Sequence, residues 1–218
     1  HCGRALALLS IGDFGEGLAE YEWRKEKKDN DIKSREFSIP LWNGDPHPGE
    51  QIFVWKEQGI GDQILYGGLL QNMAVKDTTF ALEVDARLSS LFSRAMHEID
   101  VLPPDTSFNS TKGKIEDRFA AHIPIASLML ANFPWPKNYK PKKRYLETDP
   151  QLVESWKKLL EEFGDDPKIG ISWRSAAERI GPKKSLPIKL WGPILTKREA
   201  VFVNLQYGET DAELNELK

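Results

Sequence analysis

The sequence predicts an α/β fold built on a parallel sheet. Short apolar runs of strand type alternate along the chain with longer stretches of helical periodicity, as in successive strand–helix–strand units. The first such run, residues 51–55, passes directly into a glycine-containing loop and then into a helical stretch. With 218 residues, of which 40% are hydrophobic, the chain is long enough to bury a core. These observations favour right-handed βαβ units.

The N-terminal part of the chain is predicted to be helical. Residues 5–28 have helical periodicity, and Ile11-Gly12-Asp13-Phe14 interrupts it with a stop and a restart. We therefore expect two helices that form a helical hairpin. Residues 30–50 are polar and rich in proline, glycine and asparagine, which predicts a linker.

From residue 51 onward, strands and helices alternate. The predicted strands are 51–55, 79–84, 100–102 and 119–125, with helices over 63–75 and 86–97. Asp149 and Pro150 are typical of an N-cap and first helical residue, which predicts a helix that ends at Phe163. A second βαβ set is predicted from strand 168–173, a helix over about 188–197 and strand 200–205.

Composition and charge exclude several classes of function. The net charge of -3, from 30 basic and 33 acidic residues, gives no basic footprint for nucleic acid. No apolar stretch is long enough for a transmembrane segment. The single cysteine, Cys2, and the absence of a secretory signal favour a cytoplasmic setting. The four histidines have no metal-ligand spacing, and His122, within an apolar strand, is predicted to be a hydrogen-bonded structural residue.

The loop Gln58-Gly-Ile-Gly-Asp62 is the main candidate for a functional site. It lies where the first strand passes into the first helix, the position at which open α/β sheets bind ligands. It is a poor dinucleotide fingerprint, because Ile64 occupies the place of the third glycine, and this disfavours a dinucleotide-using enzyme. Asp62 either caps the helix or acts as a general base facing the cleft, and the loop alone favours the cap.

Two resemblances extend this interpretation. The segment Ala7-Leu-Leu-Ser-Ile-Gly-Asp-Phe-Gly-Glu-Gly-Leu-Ala-Glu-Tyr21 resembles the last unit of a tetratricopeptide array, although a hairpin packed on the next domain explains it equally well. The remaining motifs, in their order and spacing, resemble glycosyltransferases of the B-type, two-Rossmann fold, in particular heptosyltransferase-like domains that follow tetratricopeptide repeats and are similar to O-linked N-acetylglucosamine transferases. The motifs are Trp42-Asn-Gly-Asp45, Ile52-Phe-Val-Trp-Lys-Glu-Gln-Gly-Ile-Gly-Asp-Gln-Ile64, Lys168-Ile-Gly-Ile-Ser-Trp-Arg174, Lys184-Ser-Leu-Pro187 and Val203-Asn-Leu-Gln206.

The glycosyltransferase resemblance implies roles for individual residues. Asp62 would be the catalytic base, which deprotonates an acceptor hydroxyl for inverting attack on the anomeric carbon. The acceptor loop would comprise Gln58, Gly59, Gly61 and Gln63. The diphosphate of the nucleotide-sugar would be bound by Ser172, Arg174, Lys184 and Ser185. The sequence is equally compatible with a solvated loop around Lys184 and with a surface ion pair of Arg174, neither of which binds a ligand.

The expected organisation follows from these motifs. It comprises a hairpin (1–29), a linker (30–50), an N-terminal Rossmann-like acceptor domain (51–148), a connecting helix (149–167) and the beginning of a nucleotide-sugar-binding domain (168–218). Because nucleotide recognition in this family normally comes from later in the second domain, we expect the chain to be a fragment.

The expected function is metal-independent transfer of a sugar, without a cofactor, from a nucleotide-sugar to a hydroxyl on a glycan, lipid-linked sugar or protein. Asp29-Asn30-Asp31 imitates the metal-binding motif of other glycosyltransferases, but it follows a helix in a charged linker. The alternative is an inactive transferase-like scaffold whose repeats bind a protein partner.

Overall fold

The computed structural model describes residues 1–26, 35–71, 73, 75–103, 115–132, 144–175, 181–197 and 199–217. Asp29-Asn30-Asp31 and the predicted boundary between hairpin and linker lie outside these ranges. The chain divides into two compact units, His1–Thr148 and Asp149–Lys218. Each unit is built on parallel strands, so the α/β class predicted from the sequence is confirmed.

The first unit contains the helical hairpin and a four-stranded sheet. The helices are α1 (Cys2–Ser10), α2 (Phe14–Tyr21), α3 (Ile60–Leu70), α4 (Ala86–Ala95) and α5 (Leu128–Ala131). The strands are β1 (Gln51–Trp55), β2 (Thr79–Glu83), β3 (Asp100–Leu102) and β4 (Ala121–Pro124). Short 3-10 turns cover Glu22–Glu26, Ile115–Asp117 and Ile125–Ser127.

The sheet is parallel throughout, in the order β3-β2-β1-β4. The chain passes outward from β1 through β2 to β3 and then returns to the other side of β1. This reversal makes the carboxyl ends of β1 and β4 a topological switch point, where open α/β sheets bind ligands. Residues of the predicted linker extend the sheet beyond β4, because Leu41 forms a parallel bridge with His122.

The two faces of the sheet carry separate apolar clusters, as expected for alternating side chains. Ile52 and Val54 of β1 belong to the larger cluster, which also contains residues of α3 and α4 such as Tyr66 and Phe92. Phe53 and Trp55 belong to the smaller cluster on the other face. The continuous apolar run of β1 is therefore explained by burial on both faces.

The helix α3 differs from its sequence prediction at both ends, because it begins at Ile60 rather than Gln63 and ends at Leu70 rather than near residue 75. It packs very closely on α4. A Cβ atom added at Gly67 would lie 2.5 Å from the ring of Phe92, so only glycine fits here. The helix-breaking residue at this position is thus explained by helix–helix contact.

The second unit contains the helices α6 (Pro150–Glu161), α7 (Gly192–Leu195) and α8 (Asp211–Asn215) and the strands β5 (Lys168–Ile171) and β6 (Val201–Asn204). The two strands pair in parallel. As predicted, the carboxylate of Asp149 caps α6 by accepting the N–H of Gln151 at 2.9 Å. The helix predicted over 188–197 is instead a 3-10 turn, Ile188–Trp191, followed by the single turn α7. Pro193 lacks the N–H that a continuous helix would need.

Candidate functional site

The predicted acceptor loop lies at the switch point, directly after β1. Gln58 has a left-handed backbone with φ of +62°, which is uncommon for a residue other than glycine. Gly59 follows as the N-cap of α3. The chain therefore turns sharply between the end of the strand and the first helical residue, and the N-terminal N–H groups of α3 lie at this edge of the sheet.

Asp62 is in the first turn of α3, where it stabilises the helix. Its Oδ2 accepts the backbone N–H of Gly59 at 3.0 Å, the reciprocal half of a capping box. No hydrogen bond to Oδ1 is found among the residues that the structure describes. The capping role considered from the sequence is thus present, and it leaves one carboxylate oxygen available to accept a proton.

The neighbouring loop residues have different environments. Gly61 has no atom within 4 Å of the place where a Cβ would lie, so its backbone is open to close approach. Gln63 is buried, and its Oε1 accepts the N–H of Asp85 at 2.8 Å. Asp85 follows β2 and caps α4. Gln63 therefore links the first turn of α3 to the segment that follows β2.

A buried ion pair adjoins this loop, and the sequence analysis missed it. Glu57, immediately before Gln58, accepts from Arg24 in bidentate fashion, at 2.6 Å from Nη2 and 3.2 Å from Nε. The Arg24 and Glu57 side chains are 4% and 0% exposed, respectively. Burial opposes the charge of Arg24, but hydrogen bonding to Glu57 prevails and raises its pKa.

The same arginine reaches two further groups. Its Nη2 donates to Ser127 Oγ at 2.8 Å, and its Nη1 donates to Glu22 Oε1 at 2.6 Å. Burial would raise the pKa of Glu22, but the charges of Arg24 and Lys25 lower it. The only sequence signal for this network is the charged run that ends the hairpin, which resembles an ordinary solvated segment.

A second group of polar side chains lies on the face of the sheet opposite α3. Trp55 Nε1 donates to His122 Nδ1 at 3.1 Å, and the ring of Phe37 lies 4.3 Å from that of His122. The prediction that His122 is a hydrogen-bonded structural histidine is confirmed. Burial lowers its pKa to about 4, with help from the positive charges of Lys25 and Arg35.

In the second unit, Gln206 organises the end of β5. Its buried Oε1 accepts from Ser172 Oγ at 3.0 Å and from the backbone N–H groups of Trp173 and Arg174 at 3.1 and 2.9 Å. Ser172 is therefore held by a side chain that follows β6. The sequence motif contained Gln206 but gave it no role.

Arg174 forms an ion pair, which is the structural alternative to ligand binding that the sequence leaves open. Its Nε donates to Glu213 Oε2 at 2.8 Å, and one Nη donates to the carbonyl of Glu209 at 2.7 Å. Trp173 Nε1 donates to the other oxygen of Glu213 at 3.1 Å. Hydrogen bonds from Arg174 and Trp173 lower the pKa of Glu213.

Arg174 and Ser185 line one cleft of about 530 Å³ within the second unit. Ser185 Oγ accepts the N–H of Ser175 at 3.0 Å and donates to the carbonyl of Gly181 at 2.7 Å. Lys184 is exposed at the end of a 3-10 turn and is not among the lining residues. Ser172 lines a different cleft, of about 410 Å³. The larger of these two clefts, of about 530 Å³, is lined by Trp173, Arg174, Ser175, Pro182, Ser185, Leu186, Pro187, Ile188, Glu213 and Glu216.

Comparison with curated proteins finds a bacterial relative that is longer than this chain. Protein FlbA from Caulobacter vibrioides is 31% identical over 228 aligned positions, which cover 97% of this chain. This chain spans 37% of the length of that relative. No family model matches the chain, and no solved structure matches it. Within the described part of the chain, no helix has the length and apolar character needed to cross a membrane.

Proposed function

We propose that this chain contributes to a metal-independent, inverting glycosyltransferase, which transfers a sugar from a nucleotide-sugar to a hydroxyl acceptor. The observation that carries the proposal is the placement of Asp62. Its carboxylate is fixed in the first turn of α3, at the switch point of a parallel sheet, and only one of its oxygens is engaged by its own helix.

In the proposed reaction, Asp62 acts through its second carboxylate oxygen. It accepts the proton of the acceptor hydroxyl while the hydroxyl oxygen attacks the anomeric carbon of the donor sugar. The bond between that carbon and the diphosphate oxygen breaks, and the nucleoside diphosphate leaves with the electron pair. Attack opposite the leaving group inverts the anomeric configuration. The capping bond to Gly59 holds the carboxylate in one orientation throughout.

The second unit is proposed to bind the diphosphate of the donor. Arg174 and Ser185 line one cleft, which supports a shared role for this pair, whereas Ser172 and Lys184 are assigned by resemblance alone. Because Glu213 already binds Arg174, the diphosphate would have to replace that carboxylate. Exchange of one anion for another preserves the charge-assisted hydrogen bonds of the guanidinium.

The proposal also covers the identity of the helical hairpin and of the second unit. We infer that α1 and α2 are the last unit of a tetratricopeptide array, because they form a helical hairpin with a small-residue contact at Gly17. We also infer that β5 and β6 open a second Rossmann-like domain. The acceptor is a glycan, a lipid-linked sugar or a protein hydroxyl.

The test is nucleotide-sugar turnover by the full-length protein carrying Asp62→Asn. Asparagine retains the size of the side chain but cannot accept the proton, so transfer should fall by at least about 100-fold. Asp13→Asn is the matched control, because Asp13 also caps a helix of the first unit, by accepting the N–H of Glu16. Undiminished transfer in the Asp62 variant would exclude Asp62 as the base.

A second candidate function is a non-catalytic scaffold. It is favoured by the observation that Asp62 and Arg174 both have structural partners in this chain, Gly59 and Glu213. Calorimetric titration of the full-length protein with nucleoside diphosphates separates the two candidates. A transferase binds at least one of them, and a scaffold binds none while it retains a protein partner.

A further inference from the structure

The buried pair of Arg24 and Glu57 joins the hairpin to the acceptor loop. We propose that Arg24 is a positioning residue for the segment Gln58-Gly-Ile-Gly-Asp62, so that the hairpin forms part of the acceptor site instead of being only a separate recruitment module. This inference rests on the proposed function, since it concerns the orientation of the proposed base.

The first step of the argument is the position of Glu57 in the chain. It directly precedes Gln58, whose φ of +62° begins the turn into α3. Its carboxylate is fully buried and accepts two hydrogen bonds from Arg24 and one, at 3.0 Å, from the backbone N–H of Ala126. The backbone that enters the loop is thus fixed at Glu57.

The second step is a further tether from the same hairpin. Gln58 Nε2 donates to the hydroxyl of Tyr21, at the end of α2, at 3.1 Å. Burial and, after it, the nearby hydroxyl of Tyr21 raise the pKa of Tyr66, which lies one helical turn after Asp62 on α3. The hairpin therefore contacts the loop before Asp62 and the helix after it. These two contacts hold the left-handed residue and the helix start in a fixed relation.

The third step is the link across the switch point. Arg24 Nη2 bonds both Glu57 after β1 and Ser127 after β4. A single guanidinium thus fixes the loops that follow the two strands at the ligand-binding edge. Movement of the hairpin would change both loops together.

The chemistry of the side chain makes this role testable. An arginine donates through a planar fork, which matches the two oxygens of a carboxylate, whereas a lysine keeps the charge but donates from one point. Arg24→Lys should therefore keep the positive charge near Glu57 but lose the bidentate contact, so that it no longer holds Glu57 and Ser127 together. Arg4→Lys is the matched control, because Arg4 pairs with Glu16 and Glu20 on the exposed side of the hairpin.

The experiment compares both variants of the full-length protein with the wild type. For Arg24→Lys we expect kcat to fall by about tenfold to 100-fold through misplacement of the base, with the KM for the nucleotide-sugar unchanged. Amide hydrogen exchange at Gly59 and Gln63 should quicken, while the amides of Ile52 to Val54 in β1 keep their protection. Arg4→Lys should alter neither quantity.

Exchange and turnover test different claims. If the wild type transfers no sugar, the proposed function fails, and exchange at the loop alone decides whether Arg24 positions it. If the loop amides of Arg24→Lys exchange as in the wild type, the positioning role is wrong. Should Arg24→Lys not fold, Tyr21→Phe leaves Arg24 in place and removes the hydroxyl that contacts Gln58 and Tyr66. It should give a smaller increase in loop exchange, and unchanged exchange would overturn the proposal that the hairpin positions the loop.

Discussion

At the scale of single residues, the first unit depends on a few buried polar groups with several partners each. Glu57 illustrates this, since its buried carboxylate is satisfied by Arg24 and by the N–H of Ala126. A charge in such a place is tolerated only while its partner remains, because the partner left alone would be buried without compensation.

Glu57→Leu should therefore destabilise the first unit by about 3 kcal/mol, the lower end for a broken buried pair, because Arg24 keeps its contact with Glu22 but loses its fully buried, bidentate carboxylate. The double variant Arg24→Met/Glu57→Leu should recover most of that loss, since apolar residues of similar volume often replace a buried pair at little cost. The free energy of unfolding in urea measures both. A double variant as unstable as Glu57→Leu would show that the cost lies in packing and not in the loss of the bidentate partner of Arg24.

His122 should make stability depend on pH. Its pKa in the folded chain, about 4, lies below its ordinary value of 6.5, so the unfolded chain binds the proton more readily. Stability should fall as the pH drops from 6.5 to about 4. His122→Gln keeps an acceptor for Trp55 but does not titrate, so its unfolding free energy should fall less over this range.

Nuclear magnetic resonance measures the pKa of His122 directly. The ring signals of His122 should titrate near pH 4, far below an exposed histidine. A titration near pH 6.5 would contradict the burial of the His122 ring, which lowers its pKa.

At the scale of elements, the sequence predicted strands and helices better than their ends. The strands β1 and β3 have the predicted limits, because apolar runs bounded by polar or turn residues define them. The sequence predicts a start of α3 at Gln63, three residues late, because glycine does not favour a helix and the cap between Gly59 and Asp62 forms only in the folded chain. The ion pair of Arg24 with Glu57 joins residues 33 positions apart, and no local pattern encodes it.

Two of the three glycines of α3, Gly61 and Gly67, provide an element-scale prediction. Gly67→Ala should destabilise the fold by about 1–3 kcal/mol, because the added methyl group meets the ring of Phe92. Gly61→Ala, in the same helix, meets no atom within 4 Å and should stabilise it by roughly 0.5–1 kcal/mol through helix propensity. Thermal unfolding should give a lower midpoint than the wild type for Gly67→Ala and a higher one for Gly61→Ala.

The Gly61→Ala variant also distinguishes an effect on stability from an effect on sugar transfer. If a ligand approaches the backbone at Gly61, Gly61→Ala should be stable and yet impaired in sugar transfer. A variant that is both more stable and fully active would place the acceptor elsewhere along the loop.

At the scale of the whole molecule, the buried core is unequally distributed between the two units. Among the described residues, the first unit has buried apolar clusters of sixteen and six residues, whereas the cluster of the second contains Ile171, Trp173 and Ile188 alone. No residue of α6 is buried. Because buried apolar area is the main source of stability, the second unit should open more readily.

Native-state hydrogen exchange of this chain should therefore give two classes of strand amide. Those of β1, β2 and β4 should exchange slowest, and those of β5 and β6 at least about tenfold faster. Ile171→Val removes one methylene group from the smaller core and should quicken exchange in β5 and β6 while β1 is unchanged; Ile123→Val is the matched variant in β4. Equal protection in all strands would mean that the two units unfold as one cooperative structure, because only then would the small cluster share the stability of the large one.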